Sequence, residues 1–247
     1  MAFGTVAEIV NDTALEVGLG GNVTTPPDPF LSTDPNVLQM LTLLKSCGRE
    51  LVRERNWNYL RKEHSFTTVY QTSTYAIPAG FLNMIDQTGW VRTTRLPLGG
   101  PVTPQEWQYL KARLTGVTIT LLFRPITREI KIFPDTNTPG DLTVAFEYQS
   151  SLWLAPEADP TADPTLEAPA AAGDVVWFDT WLMSRKLKLR FMEAKGLDTT
   201  DARKEYMMAL DMAASDDSQS PIRSLTGQNF GVLMGERNVP ITGFGNP

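Results

Sequence analysis

The apolar residues of this chain change their period twice, and that change limits the fold more than any other feature. Between Val6 and Trp57 they fall at helical spacing. From His64 to Gln149 they mostly alternate, and after Asp174 the helical period returns as far as Ala214. A helical period buries one stripe of a rod, whereas alternation buries one face of a sheet. Helices at both ends and strands between them predict an α+β fold. Its form is a helical bundle of about four helices packed beside an antiparallel β domain, with an extended C-terminal arm. The expected divisions are N-terminal helices at 1–62, an antiparallel β domain with an inserted helix at 63–154, and an acidic Pro/Ala-rich loop at 155–173. C-terminal helices packing on the N-terminal ones follow at 174–218, and the arm occupies 219–247.

Local signals place the elements. Val6, Ile9, Val10, Ala14 and Val17 share a helix face, and Gly18-Leu19-Gly20-Gly21 stops that helix. Asp34 and Pro35 suit the cap and first position of a second helix running to about Trp57, with Val37, Met40, Leu41, Leu44, Cys47, Gly48 and Leu51 on its stripe. Phe66–Tyr70 and Thr74–Ile77 read as two strands around a turn at Gln71-Thr72-Ser73. Met84 to Leu98 continues as extended segments broken by Gly89. Thr103-Pro104-Gln105-Glu106 is a capping box, opening a short helix that carries Trp107, Leu110 and Leu114. Strands are expected at Thr118–Phe123, Glu129–Phe133 and Leu142–Gln149. A helix from Asp174 to Lys195 would bury Val175, Phe178, Leu182, Leu189 and Met192, with Gly196 as its stop. Another from Asp198 or Thr199 to Ala214 would bury Tyr206, Ala209, Leu210 and Ala213.

Charge is concentrated in one place. The net charge is −6, and Glu157, Asp159, Asp163, Glu167 and Asp174 supply five of those negative charges within a stretch that has no base. The rest of the chain is nearly neutral, which argues against sequence-specific DNA binding, because phosphate neutralisation supplies most of such affinity. No apolar run reaches the roughly 18 residues of a membrane span. The start, Met1-Ala2-Phe3-Gly4, has no basic region followed by an apolar run, so a secretory leader is not expected. Cys47 is the single cysteine, so no intrachain disulfide can form and a reducing cytoplasm suits the chain.

Catalytic patterns are missing from the sequence. His64 is the single histidine, so a two-histidine metal site cannot exist, and Cys47 belongs to an apolar stripe. Neither a Gly-x-Ser-x-Gly elbow nor a Walker-type phosphate loop occurs, and Gly18-Leu19-Gly20-Gly21 follows a helix where a dinucleotide loop would follow a strand. No catalytic residue, cofactor site or metal site is expected. Arg185, Lys186, Lys188 and Arg190 form a basic face with two readings: a solvated stripe near a helix C-terminus, or a patch for DNA or an acidic partner, above all a neighbouring subunit's acidic loop. The six tryptophans fall mostly on helix faces and strand ends, where core or subunit contact outranks a stacking platform.

The last stretch has no period. It mixes five glycines and three prolines with the apolar anchors Ile222, Leu225, Phe230, Leu233, Met234, Ile241 and Phe244. An arm that orders by lying along a partner has this composition.

The order of quotable segments completes the picture. A helix ending Arg55-Asn56-Trp57 precedes Tyr75-Ala76-Ile77-Pro78-Ala79-Gly80-Phe81-Leu82, Trp90 and Leu96-Pro97-Leu98. Then come Thr103-Pro104-Gln105-Glu106-Trp107, Ile130-Lys131-Ile132-Phe133-Pro134, Phe146-Glu147-Tyr148-Gln149-Ser150-Ser151-Leu152-Trp153 and a late helix ending Lys195-Gly196-Leu197-Asp198. In this order, over roughly residues 3 to 215, the chain resembles the head-to-tail adaptors of short-tailed bacteriophages, also called tail tubular protein A or head-completion proteins.

The resemblance implies a structural virion protein at the head–tail junction, made in the host cytoplasm and not an enzyme. It implies a ring of copies (twelve in the family) beneath the portal protein. That ring would extend the channel for double-stranded DNA, without sequence-specific binding, and carry the tail nozzle or tail tube protein. The arm residues named above would be the portal-binding segment. No membrane partner is implied. The competing expectations are a tail-completion or other tail-side structural protein and, from another class, a virion-associated cell-wall hydrolase.

Overall fold

Two separate apolar cores organise the body of the chain. The structure, a computed structural model, describes residues 3–19, 28–112, 121–134 and 139–217. Within these, a short strand β1 (Phe3–Thr5) leads into α1 (Val6–Glu16), followed by α2 (Pro35–Glu54). The strands β2 (Arg61–Thr67), β3 (Thr74–Ala76), β4 (Phe81–Met84), β5 (Trp90–Val91) and β6 (Leu96–Pro97) precede α3 (Pro104–Ala112). Then come β7 (Leu122–Ile126), β8 (Glu129–Phe133), β9 (Thr143–Ser150), β10 (Leu154–Ala155), β11 (Val175–Asp179), α4 (Thr180–Lys195) and α5 (Thr200–Asp217). Among the described residues, five α-helices and antiparallel pairing between the named strands give an α+β fold.

The first core lies among α1, α2, α4 and α5, and it is not purely helical. Trp57, Trp153, Leu154, Val176 and Phe178 are fully buried in it beside Ile9, Met40, Leu44, Leu51 and Leu182. Trp153 and Leu154 belong to the chain that leaves the β region, so strand residues complete a core that the helices alone would leave open. Trp57 is tied down by its indole N–H, which donates to Leu51 O at 2.7 Å. The second core sits between two sheets. One has the order β2-β9-β5-β6 with β4 also on β9, and the other has the order β3-β8-β7. Ile132, Val144, Phe146 and Tyr148 are buried there. β9 is flanked on both edges, and Ala145 and Gln149 on its other face are buried as well, as is Ser150 at its end.

Caps decide where helices begin. The Thr103–Glu106 box forms as expected, with Glu106 N–H donating to Thr103 Oγ1 at 3.2 Å and Thr103 N–H to Glu106 Oε2 at 3.0 Å. A second box at Thr5 and Glu8 starts α1 in the same way. Asp34 caps α2 through Asn36 N–H, and Gly196 ends α4 in the left-handed conformation at φ 68°.

Two local expectations need correction. The helix expected from Asp174 starts only at Thr180, because Val175–Asp179 is a strand between β1 and β10. Val175 and Val176 are β-branched and favour the strand, and Asp179 then caps α4 through the N–H groups of Trp181 and Leu182. The apolar positions 175, 178 and 182 had suited a helical stripe, but burial of Val176 and Phe178 fits the strand period instead. The segments around Gln71 are also not a hairpin with each other. β2 pairs with β9 and β3 with β8, in different sheets, and Gln71 turns the chain at φ 59°. Alternation specifies a strand; burial against distant residues chooses its partner.

Candidate functional site

The expected basic face of α4 closes the seam between helices. Arg185 Nη1 lies 2.7 Å from Glu16 of α1 and 3.0 Å from Glu205 of α5. Lys188 Nζ reaches the same two carboxylates at 3.5 and 3.1 Å. Arg190 Nη2 contacts Glu50 of α2 at 2.6 Å, and Nη1 contacts Glu193 at 3.0 Å. All four predicted cations are therefore engaged within the chain. A contact to a neighbour must use what they leave open, which is mainly Arg190, whose side chain is 40% exposed.

Lys186 is the inward member. Its Nζ lies 2.9 Å from Tyr206 Oη, 3.3 Å from Glu50 and 3.4 Å from Glu54, and 4.6 Å from the Tyr206 ring centre. Tyr206 Oη donates to Glu54 at 2.7 Å. Burial and that hydrogen bond push the phenol far above its ordinary range. Burial also works to raise the Glu50 carboxyl, but the hydrogen bond from Arg190 and the charge of Lys186 overcome it and hold Glu50 below the usual carboxylate range. Cys47 is fully buried beneath this cluster, and burial pushes its thiol up to about 12.

Outside the cluster, Ser46, Arg49, Arg53, Glu54 and Arg190 line an open groove between α2 and α4, with Lys186 and Glu50 in its wall. Arg49 and Arg53 are one helical turn apart and exposed, and among the described residues neither makes an ion pair. Their signal is in the sequence, as an i, i+4 arginine pair off the apolar stripe of α2, but it is weaker than the run of four cations on α4.

The acidic stretch is fastened to the body. Asp174 is 2% exposed, and its carboxylate accepts from the N–H groups of Glu157, Ala170 and Ala171 at 3.0, 2.7 and 2.8 Å. The indole N–H of Trp153 donates to Glu167 O at 3.0 Å, and Leu154 bridges to Leu166. Lys62 Nζ donates to Pro164 O at 2.9 Å. Asp174 is thus a structural acceptor, while Glu157, Asp159 and Asp163 face solvent.

A family model described as SU10 adaptor protein matches residues 4–225. The chain belongs to the SU10 adaptor protein family. That makes it a structural adaptor of bacteriophage particles. No curated protein is similar enough to the adaptor to count as a relative.

The other residues singled out in the adaptor's sequence fall into ordinary places. His64 lies within β2, its ring 5.4 Å from that of Phe146, and burial lowers its pKa. Among the described residues no group of three or more His, Cys, Asp or Glu side chains could hold a metal, and no helix is long and apolar enough to cross a membrane. Trp57, Trp107 and Trp153 are core residues, and Trp181 is 40% exposed. The expected arm residues Ile222, Leu225, Phe230, Leu233, Met234, Ile241 and Phe244 lie outside the described residues.

Proposed function

We propose that this adaptor is the ring subunit at the head–tail junction. It binds the portal protein, continues the DNA channel, and offers the docking platform for the tail nozzle. The observation that carries this is the match to an adaptor family over nearly the whole folded body. Two features of the molecule support it. The helical layer is laced by ion pairs from α1 to α5, which suits a subunit that has to transmit load without deforming. Asp217, at the end of α5, accepts from Asn58 N–H at 3.0 Å, which ties the end of that helix to the body. From there the apolar anchors between Ile222 and Phe244 can serve as a portal-binding arm. An extended segment of that kind covers a large surface at modest affinity per contact, and repetition around a ring (twelve copies in our proposal) multiplies it. The nearly neutral charge outside the acidic stretch lets duplex DNA pass without being held.

Electron microscopy of the full chain mixed with its portal protein tests the proposal. A ring seated on the portal is the expected result, and a chain lacking 219–247 should keep its folded body yet fail to attach. Binding to tail tube or nozzle protein with none to portal would assign it to the tail side instead.

A further inference from the structure

We propose that the groove between α2 and α4 receives the acidic segment Glu157–Asp163 of a second copy of this chain; this rests on the ring reading above. The groove presents Arg49, Arg53 and the outer half of Arg190, and the first two have no carboxylate partner among the described residues. The acidic segment presents Glu157, Asp159 and Asp163 to solvent, and among the described residues only Asp163 of these has an ion pair, a loose one to Lys62 at 3.8 Å. Among the described residues, Arg49 and Arg53 therefore lack anionic partners, and Glu157 and Asp159 lack cationic ones.

The segment cannot satisfy its own groove. Its base is held on Trp153, and the Trp153 indole packs against Gly48 of α2, where an added Cβ would come within 2.1 Å of it. Each residue advances about 100° around a helix, so Arg53 points about 140° away from Gly48. Arg49 points about 100° away, so the arginine pair lies on a different side of α2 from the one on which the acidic segment is fastened. Complementary patches on different faces of one body make a heterologous contact, the kind that closes copies into a ring.

The segment is also preformed. Asp159 N–H donates to Pro156 O at 3.0 Å and Ala162 N–H to Asp159 O at 3.1 Å, so residues 156–162 form successive turns. Asp159 further accepts from the Thr161 hydroxyl at 2.9 Å. Docking it costs little ordering entropy.

The test uses rings of the full chain assembled on portal. In the double variant Arg53→Cys/Asp159→Cys, mild oxidation should link neighbouring copies into a ladder on a non-reducing gel. Neither single variant should give more than background, and buried Cys47 stays silent. Arg49→Glu/Arg53→Glu should lower ring yield at least about tenfold, since like charges would then meet across the contact. Mixing that variant with Asp159→Lys/Asp163→Lys should restore part of the yield. Far-UV circular dichroism and the melting temperature show whether each variant folds. Rings that form normally from Arg49→Glu/Arg53→Glu, with no ladder from the cysteine pair, overturn the contact and leave the ring reading standing. No ring from the wild-type chain overturns both. Loss of duplex DNA binding in the charge-reversed variant, without any ladder, would reassign the groove to phosphate.

Discussion

Replacing Gly48 with alanine sets two physical effects against each other. In a helix interior that change normally stabilises by roughly 0.5–1 kcal/mol, because glycine loses more backbone freedom on folding. In α2 the added methyl would lie 2.1 Å from Trp153 Cζ2 and 2.2 Å from Cε2. Carbon atoms in contact sit about 3.5–4.0 Å apart, so the indole would have to retreat by about 1.5 Å. It is fully buried, and its N–H is committed to Glu167 O at 3.0 Å. Overpacking of this kind costs roughly 1–3 kcal/mol, and an overlap this deep belongs at the upper end. Loss of the indole hydrogen bond adds about 1 kcal/mol. The net expectation is a loss of about 3 kcal/mol, or roughly 6–12 °C in melting temperature for a domain this size. Thermal and urea unfolding, followed by circular dichroism and tryptophan fluorescence, measure it directly. A Gly48→Ala protein that melts at or above the wild-type temperature would show that helix propensity outweighs the Trp153 contact, and the reasoning would be refuted.

Three further outcomes follow from the same geometry. Asp174→Ala leaves three backbone N–H groups without their acceptor and should cost about 3 kcal/mol; limited proteolysis should then cut within 156–173 well before it cuts the wild type. Cys47, buried and with its thiol pushed up to about 12, should react with a maleimide only once urea unfolds the chain, so fast labelling of the native protein would contradict the burial. Glu50 is held below the ordinary carboxylate range in the folded chain. Its ionised form therefore adds stability above the unfolded-state value, and that contribution is lost as pH falls through the lower folded value. Because its side chain is partly exposed, solvent screening keeps the contribution small, and Glu50→Gln should flatten the acid limb of a stability–pH curve.

Periodicity read the helices well because each buries a single stripe. α2 and α5 each begin within two residues of the expected place, and their stripes, with Met40, Cys47, Leu51 and Tyr206, are buried. β8 has the expected bounds, since Ile130 and Ile132 alternate with outward Lys131. What failed was pairing. Nothing near β2 announces that β9 lies beside it, because the residues that bury both strands come from the other sheet. β11 was hidden because positions 175, 178 and 182 fit both periods. At the candidate site, the cations of α4 were legible, but their partners were not, since Glu16, Glu50 and Glu205 lie on three other helices. The acidic stretch reads as a plain Pro/Ala-rich loop because composition cannot reveal that Asp174 turns inward to hold three backbone donors.

α2 joins these observations. One side carries the glycine that admits Trp153, and through Trp153 and Glu167 it positions the acidic segment. A second side carries Glu50 and Glu54, which hold Lys186 and Arg190 of α4. A third carries Arg49 and Arg53, which the described body leaves unpaired. A change at Gly48 should therefore register in two places. It should first lower stability, through the indole. It should then loosen the acidic segment while leaving the arginine groove intact, because the groove's geometry depends on the α2–α4 ion pairs and not on Trp153. The opposite pattern, a disturbed groove with an unmoved acidic segment, would mean that α2 shifts as a rigid rod when Trp153 is pushed.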